Sequence, residues 1–276
     1  MPAPHGFVER LAELAASGQP LVSVTLVATS GSTPADVGSK MLVTAAGLEM
    51  GTVGGGRVEA KAIEYAQQML AQSTDKAAST KLVKWNLQRD VGMTCGGVVS
   101  MVFETYNHSQ WQIVIFGAGH VAAAVVHCLL PLECRILCID PRQEWLERLP
   151  IHPRVQTMRA DDLAAHVSTL PAEAFVLCMT MGHRTDRPIL EEIFRREREF
   201  PYLGVIGSKA KRAVLRRELK AAGVSEQQSN AFYCPIGLEL GSNLPGEIAV
   251  SVVAQLIQQR DAWRERTESA RPGGRG

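Results

Sequence analysis

From Gln112 onward the chain alternates short apolar runs with amphipathic helical stretches, and this narrows its possible folds more than any other feature. The runs cover residues 113–116, 134–139, 155–158, 175–179 and 203–206. Strands buried on both faces read as continuous hydrophobic runs, and their alternation with helices implies a parallel sheet covered on both sides. Residues 111–264 are therefore expected to form a doubly wound, Rossmann-like α/β domain. A last helix is expected over about 247–260, and residues 265–276, ending Arg271-Pro-Gly-Gly-Arg-Gly276, are expected to be a disordered tail.

The first 107 residues follow a different pattern. A helix is predicted over 7–18, short strands over 21–29, 40–44, 49–53, 80–87 and 98–105, and one longer helix over 58–70. This gives an N-terminal α+β domain over 1–107, separated from the second by the polar stretch 106–111. Net charge +1 with no block of like charge argues against nucleic-acid binding and against a membrane surface. The N-terminus lacks the charged-then-apolar pattern of a secretory leader, so the cytoplasm is the expected compartment.

Glycine clusters mark where chemistry could sit. Gly31-Ser32-Thr-Pro34 with Gly38-Ser-Lys40, Gly51-Thr-Val-Gly54-Gly55-Gly56 with Glu59, and Gly92-Met-Thr-Cys95-Gly96-Gly97 all fall in the first domain. Such clusters either make tight turns or offer backbone N–H groups that cradle an anion. A thiol followed by two glycines lies where a ligand can approach closely, so Cys95 is the candidate working sulfur, as nucleophile or metal ligand. With no Cys-x-x-Cys spacing, a structural zinc site is not expected, and Cys128, Cys134, Cys138 and Cys178 read as core residues.

In the second half, Gly117-Ala-Gly119-His120-Val-Ala122 follows the first apolar run and matches a dinucleotide-binding turn. Asp140, at the end of the next run, stands where a ribose-binding carboxylate would sit. Two further loops fall at strand ends: Gly182-His183-Arg184-Thr-Asp186, with His183 as a proton carrier oriented by Asp186, and Gly207-Ser208-Lys209, with Lys209 and Arg212 facing a phosphate. The competing structural readings are a helix starting at Pro188 and capped by Thr185 or Asp186, and a capped helix start at Ser208.

Laid out in this order, the motifs resemble the XdhC/CoxI family of xanthine dehydrogenase accessory proteins. The match extends through Gly204-Val-Ile-Gly207-Ser208, Pro235-Ile-Gly237-Leu and Glu247-Ile-Ala-Val-Ser251. The resemblance implies a molybdenum cofactor (molybdopterin) chaperone rather than an enzyme. Such a protein binds the cofactor, assists its sulfuration and delivers it to the large subunit of xanthine dehydrogenase, with a cysteine desulfurase as sulfur source and a homodimer as the assembly. Carried over by motif, Cys95 contacts the cofactor or handles sulfur, and the glycine loops enclose the pterin phosphate. Arg57 stands where CoxI-like relatives often carry a second cysteine, which favours the xanthine dehydrogenase branch. Two other readings stay open: an NAD(P)-dependent oxidoreductase using the Gly117–Ala122 turn with His183 as acid/base, and a sulfurtransferase carrying a persulfide on Cys95.

Overall fold

The computed structural model describes residues 6–71, 80–107 and 111–269. The chain divides before Trp111 into two compact units. In the first, helix α1 (Phe7–Ala16) precedes strands β1 (Leu21–Ser30), β2 (Lys40–Thr44) and β3 (Gly47–Gly51), followed by helix α2 (Gly56–Ala71) and strands β4 (Thr80–Asn86) and β5 (Val98–Tyr106). They form an antiparallel sheet in the order β3-β2-β1-β5-β4.

Alternation dictates which face is covered. Along β5, Val99, Met101 and Phe103 point inward while their neighbours are half-exposed, the period-2 pattern of a strand with one face on a core. That face receives α2 through Val58, Ala62, Ala66 and Met69, spaced to form one helical stripe. The opposite face is smaller: Phe7 and Leu14 of α1 pack on Leu21 and Leu42. Beyond Thr25, β1 leaves β2 and pairs with β5 alone, with a register shift between Leu26 and Ala28.

The second unit contains β6 (Gln112–Phe116), α3 (His120–Leu129), β7 (Arg135–Asp140), α4 (Gln143–Leu146), β8 (Val155–Arg159), β9 (Phe175–Cys178), α5 (His183–Arg195), β10 (Tyr202–Val205), α6 (Lys209–Ala221), α7 (Glu226–Asn230) and α8 (Pro245–Ser269). All five strands are parallel, in the order β10-β9-β6-β7-β8. The order reverses between β6 and β9, the position where open α/β sheets receive ligands. One face packs α3 and α8 through Ala122, Val125, Ala249, Val252 and Leu256; the other packs α5 and α6 through Ile189, Ile193, Leu215 and Leu219.

Two expectations are corrected here. Helix α8 runs through Ser269, so residues 265–269 are helical rather than part of a disordered tail; residues 270–276 lie outside the described residues. A helix that packs along α3 through its first half propagates past its last core contact at one hydrogen bond per residue, which the polar composition after Arg264 conceals. Helix α5 begins at His183, not Pro188, which sits inside it where Arg184 loses an amide partner.

Polar satisfaction ties α8 to the sheet. The Tyr202 hydroxyl donates to Gln255 Oε1 at 2.6 Å, and the Gly237 N–H donates to the same oxygen at 2.8 Å. Replacing Tyr202 by Phe leaves Gln255 its second donor and is expected to cost about 1 kcal/mol. Gln255→Leu orphans a buried hydroxyl and an amide together and is expected to cost about 2 kcal/mol or more. Urea unfolding of the two variants checks this; equal losses would show that Gln255 is not the shared acceptor.

Candidate functional site

The three glycine stretches of the first unit converge at one end of its sheet. The loop after β1 reaches the loop before β5: Gly97 is buried, and a Cβ there would run into the Ser32 carbonyl oxygen and lie 2.9 Å from Thr33 Cγ2. Gly31 closes on Gly97 Cα from the other side, 3.3 Å from where its own Cβ would stand. The loop after β3 joins them, since a Cβ on Gly54 would lie 2.8 Å from Pro34 Cγ. Residues 87–97 are folded by Met93 N–H to Leu87 O and Leu87 N–H to Gly97 O, both 2.9 Å. Cys95 stands half-buried on this turn, packed at the rim of the core that Ala35, Val91 and Met93 also border, with exposed Thr94 and Gly96 on either side.

The amides of the middle loop are already engaged. Glu59, from the first turn of α2, accepts the Val53 and Gly55 N–H groups at 3.3 Å and the Thr52 hydroxyl, while Gly54 N–H donates to Thr52 Oγ1 at 3.2 Å. Glu59 is thus the anion of this nest, its negative charge placed at a helix N-terminus where it is favoured. Gly56 opens α2 behind it. Lys40 does not join the cluster: its ammonium donates to Thr25 Oγ1 at 2.7 Å and lies 5.9 Å from the Phe7 ring, on the α1 face of the sheet.

In the second unit Gly117 lets the β6–α3 turn press against the next loop; a Cβ would lie 2.5 Å from Met179 O. Gly119 precedes α3, whose first residue, His120, is exposed with its ring edge-on to Trp145 at 4.8 Å. Asp140 ends β7 but does not face outward. Its buried carboxylate accepts Ala118 N–H at 2.7 Å, Arg142 N–H at 2.8 Å, and Arg142 Nε and Nη2 at 2.9 and 2.8 Å. Burial alone would raise this carboxyl, but the Arg142 guanidinium and the two amides outweigh it and hold it below the usual value. Arg142 in turn stacks on Trp145 at 4.8 Å.

Asp186 does not orient His183. It is fully buried, accepts the Thr180 hydroxyl at 2.7 Å, and pairs with Lys211 Nζ at 2.5 Å. Lys211 also donates to Ile206 O at 2.7 Å, and its stem occupies the space a side chain at Gly207 would need. The capping reading holds at Ser208, whose hydroxyl accepts Lys211 N–H at 3.2 Å. Lys209 is exposed and Arg212 lies over the Phe232 ring, so the inward cation of this helix is Lys211.

Burial pushes the Cys134 thiol up to about 11 and Cys138 up to about 12, and raises Cys178 and Cys234 as well. These four stay protonated at neutral pH, which leaves Cys95 and half-buried Cys128 as the accessible sulfurs. Among the described residues there is no cluster of His, Cys, Asp or Glu able to hold a metal ion, and no helix long and apolar enough to cross a membrane.

Comparison with known proteins agrees with this architecture. Residues 113–256 match the XdhC Rossmann domain, and residues 14–81 match the XdhC and CoxI family. The chain belongs to the XdhC and CoxI family. It is 31% identical over 252 residues to the uncharacterized protein YqeB of Escherichia coli, covering 91% of this chain and 45% of that one. A Bacillus subtilis protein named as a probable subunit of xanthine dehydrogenase is 27% identical over 54% of this chain and 43% of its own length. The chain therefore spans less than half the length of these two relatives. The molybdenum cofactor insertion chaperone PaoD of Escherichia coli is 24% identical over 93% of this chain and 89% of its own. A Bacillus halodurans protein described as a xanthine dehydrogenase shares the fold, with TM-score 0.50, 20% identity and coverage of 96% and 98%.

In this XdhC-family chain the sequence pattern did not show that Arg57, Lys61, Arg142 and Lys211 are among the cations that hold loops. The spacing Asp140-x-Arg142 and the helical offset from Ser208 to Lys211 were the available signals. Of these, the Asp186–Lys211 pair has the sharpest consequence. Burial raises the Asp186 carboxyl more than Lys211 and Thr180 lower it, so its ionisation costs stability as pH rises through the folded-state value. Asp186→Asn is expected to lose that pH-dependent component. At neutral pH, Asp186→Asn or Lys211→Met alone is expected to destabilise by about 3–5 kcal/mol, and the double variant by less than the sum. Additive losses in a denaturation cycle would show that the two do not act as a pair.

Proposed function

We propose that this chain is a chaperone for the molybdenum cofactor: it binds the phosphorylated pterin as cargo, assists sulfuration, and delivers it to the molybdenum subunit of a xanthine dehydrogenase. One observation carries the reading. Three glycine-rich loops far apart in sequence meet at one sheet end, and the accessible thiol Cys95 stands on one of them. A thiolate suits soft sulfur and molybdenum chemistry, and close-approach backbone suits a bulky planar ligand. Relatives named as a molybdenum cofactor insertion chaperone and as part of a xanthine dehydrogenase support the same role.

On this reading the chain is an accessory protein, with a cysteine desulfurase as sulfur donor, a homodimeric assembly and a cytoplasmic setting. Persulfide carriage by Cys95 is one step of that role rather than a separate activity. The oxidoreductase reading is weakened by Asp140, whose oxygens are engaged with Ala118 and Arg142 instead of facing a ribose.

Cys95→Ala is expected to keep the fold and the thermal midpoint within a few degrees while losing most of the molybdopterin that co-purifies anaerobically and most of the maturation of xanthine dehydrogenase. The pterin is measured as its fluorescent oxidation product. Equal retention and equal maturation by Cys95→Ala would remove the thiol from the mechanism.

A further inference from the structure

The middle glycine loop cannot hold a phosphate by its amides alone, because Glu59 and Thr52 already accept Val53, Gly54 and Gly55 N–H. An anion beside this loop would need another donor. The first unit has three arginines, and two are paired: Arg10 with Glu13 and Glu49, and Arg89 with Asp90. Arg57 has no carboxylate partner among the described residues. The acid two residues along its helix and the acid on the turn it binds are engaged elsewhere: Glu59 in the loop, and Asp90 with the Arg89 guanidinium and the Asn86 N–H, which hold its carboxyl at about 2.

Arg57 is nevertheless placed. Its Nη1 donates to the Gly92 carbonyl, three residues before Cys95, and one helical turn on Lys61 Nζ donates to the Asp90 carbonyl while lying 5.3 Å from the Trp85 ring. Two cations of α2 therefore hold the turn that carries Cys95 by its carbonyl oxygens. A guanidinium has five donors in a fixed plane, so Arg57 can keep this bond and present its other edge to an anion. Its side chain is exposed while anchored, which limits the entropy it loses on binding.

We infer that Arg57 is the anion-contacting residue of the three-loop site, meeting the phosphomonoester of a bound cofactor while fixing the Gly92–Cys95 turn. The inference rests on the cargo reading above, but the charge it places near Cys95 is testable without any cargo.

In a Cys128→Ser background, Cys95 is alkylated with anionic iodoacetate and with neutral iodoacetamide and followed by intact mass. At about 10 mM ionic strength, where screening is weak, Arg57→Gln is expected to lower the iodoacetate-to-iodoacetamide rate ratio about threefold. Arg57→Lys restores the ratio, and high salt erases the difference between wild type and Arg57→Gln. A purely structural role would change both rates together and leave the ratio alone. An unchanged ratio in Arg57→Gln overturns the inference. Where wild type does carry molybdopterin, equal retention by Arg57→Gln overturns it too. A shifted ratio in a wild-type protein that never carries molybdopterin would keep Arg57 as the anion contact and sink the cargo reading instead.

Discussion

The approach of the Gly97 backbone to the Ser32 carbonyl is the constraint on which the loop end of the first unit depends. Strand β5 is the central partner of both β1 and β4, so where it starts fixes where the flanking loops can meet. Any side chain at Gly97 would drive the loop after β1 away from the turn that carries Cys95. Once those two are in contact, Gly54 against Pro34 brings in the third loop, and α2 starts beneath it. The position of the thiol thus follows from backbone sterics, not from a bond that the sulfur makes.

A second rule recurs in both units. Loop amides that look prepared for an external anion are met by a carboxylate of the chain itself: Glu59 accepts Val53 and Gly55, and Asp140 accepts Ala118. Asp186 takes the Thr180 hydroxyl in the same manner. Each acid is then balanced differently. Asp140 and Asp186 are buried and carry their own cations, Arg142 and Lys211, as a desolvated charge requires. Glu59 is half-exposed at a helix start and needs no cation beside it, since the helix dipole and water suffice.

This explains how much was legible in the sequence. Strand and helix positions in the second unit follow from apolar periodicity, which parallel burial enforces on every strand, so 113–116 and 155–158 fall within one residue of β6 and β8. Glycine clusters were legible as close approaches because few other residues tolerate them. What the pattern could not show is which side of a loop a charge turns toward. Lys40 and Lys61 both follow a glycine cluster, yet one faces α1 and the other grips the Cys95 turn. Asp140 looked like a ribose ligand by spacing, and only the position of Arg142 two residues on turns it inward. The end of α8 was lost for a related reason, since a helix can outrun the apolar face that nucleates it.

An internal carboxylate has a consequence for how such a site works. A nest that relies on an external phosphate is ordered only when the ligand is bound, and the loop's ordering entropy is then subtracted from affinity. A nest closed by Glu59 is ordered beforehand, so the loops around Cys95 keep their shape without cargo. Preorganisation of this kind suits a protein that must release what it binds, because affinity then comes from a few replaceable contacts instead of from folding the site. With Arg57 as the proposed contact, it also moves the anion's recognition from uncharged amides to a guanidinium. Amide nests hold phosphate with little salt dependence once buried, whereas an exposed arginine is screened. Cargo held at the three-loop end would therefore be loosened by ionic strength, and by any acidic surface on an acceptor protein that competes for Arg57.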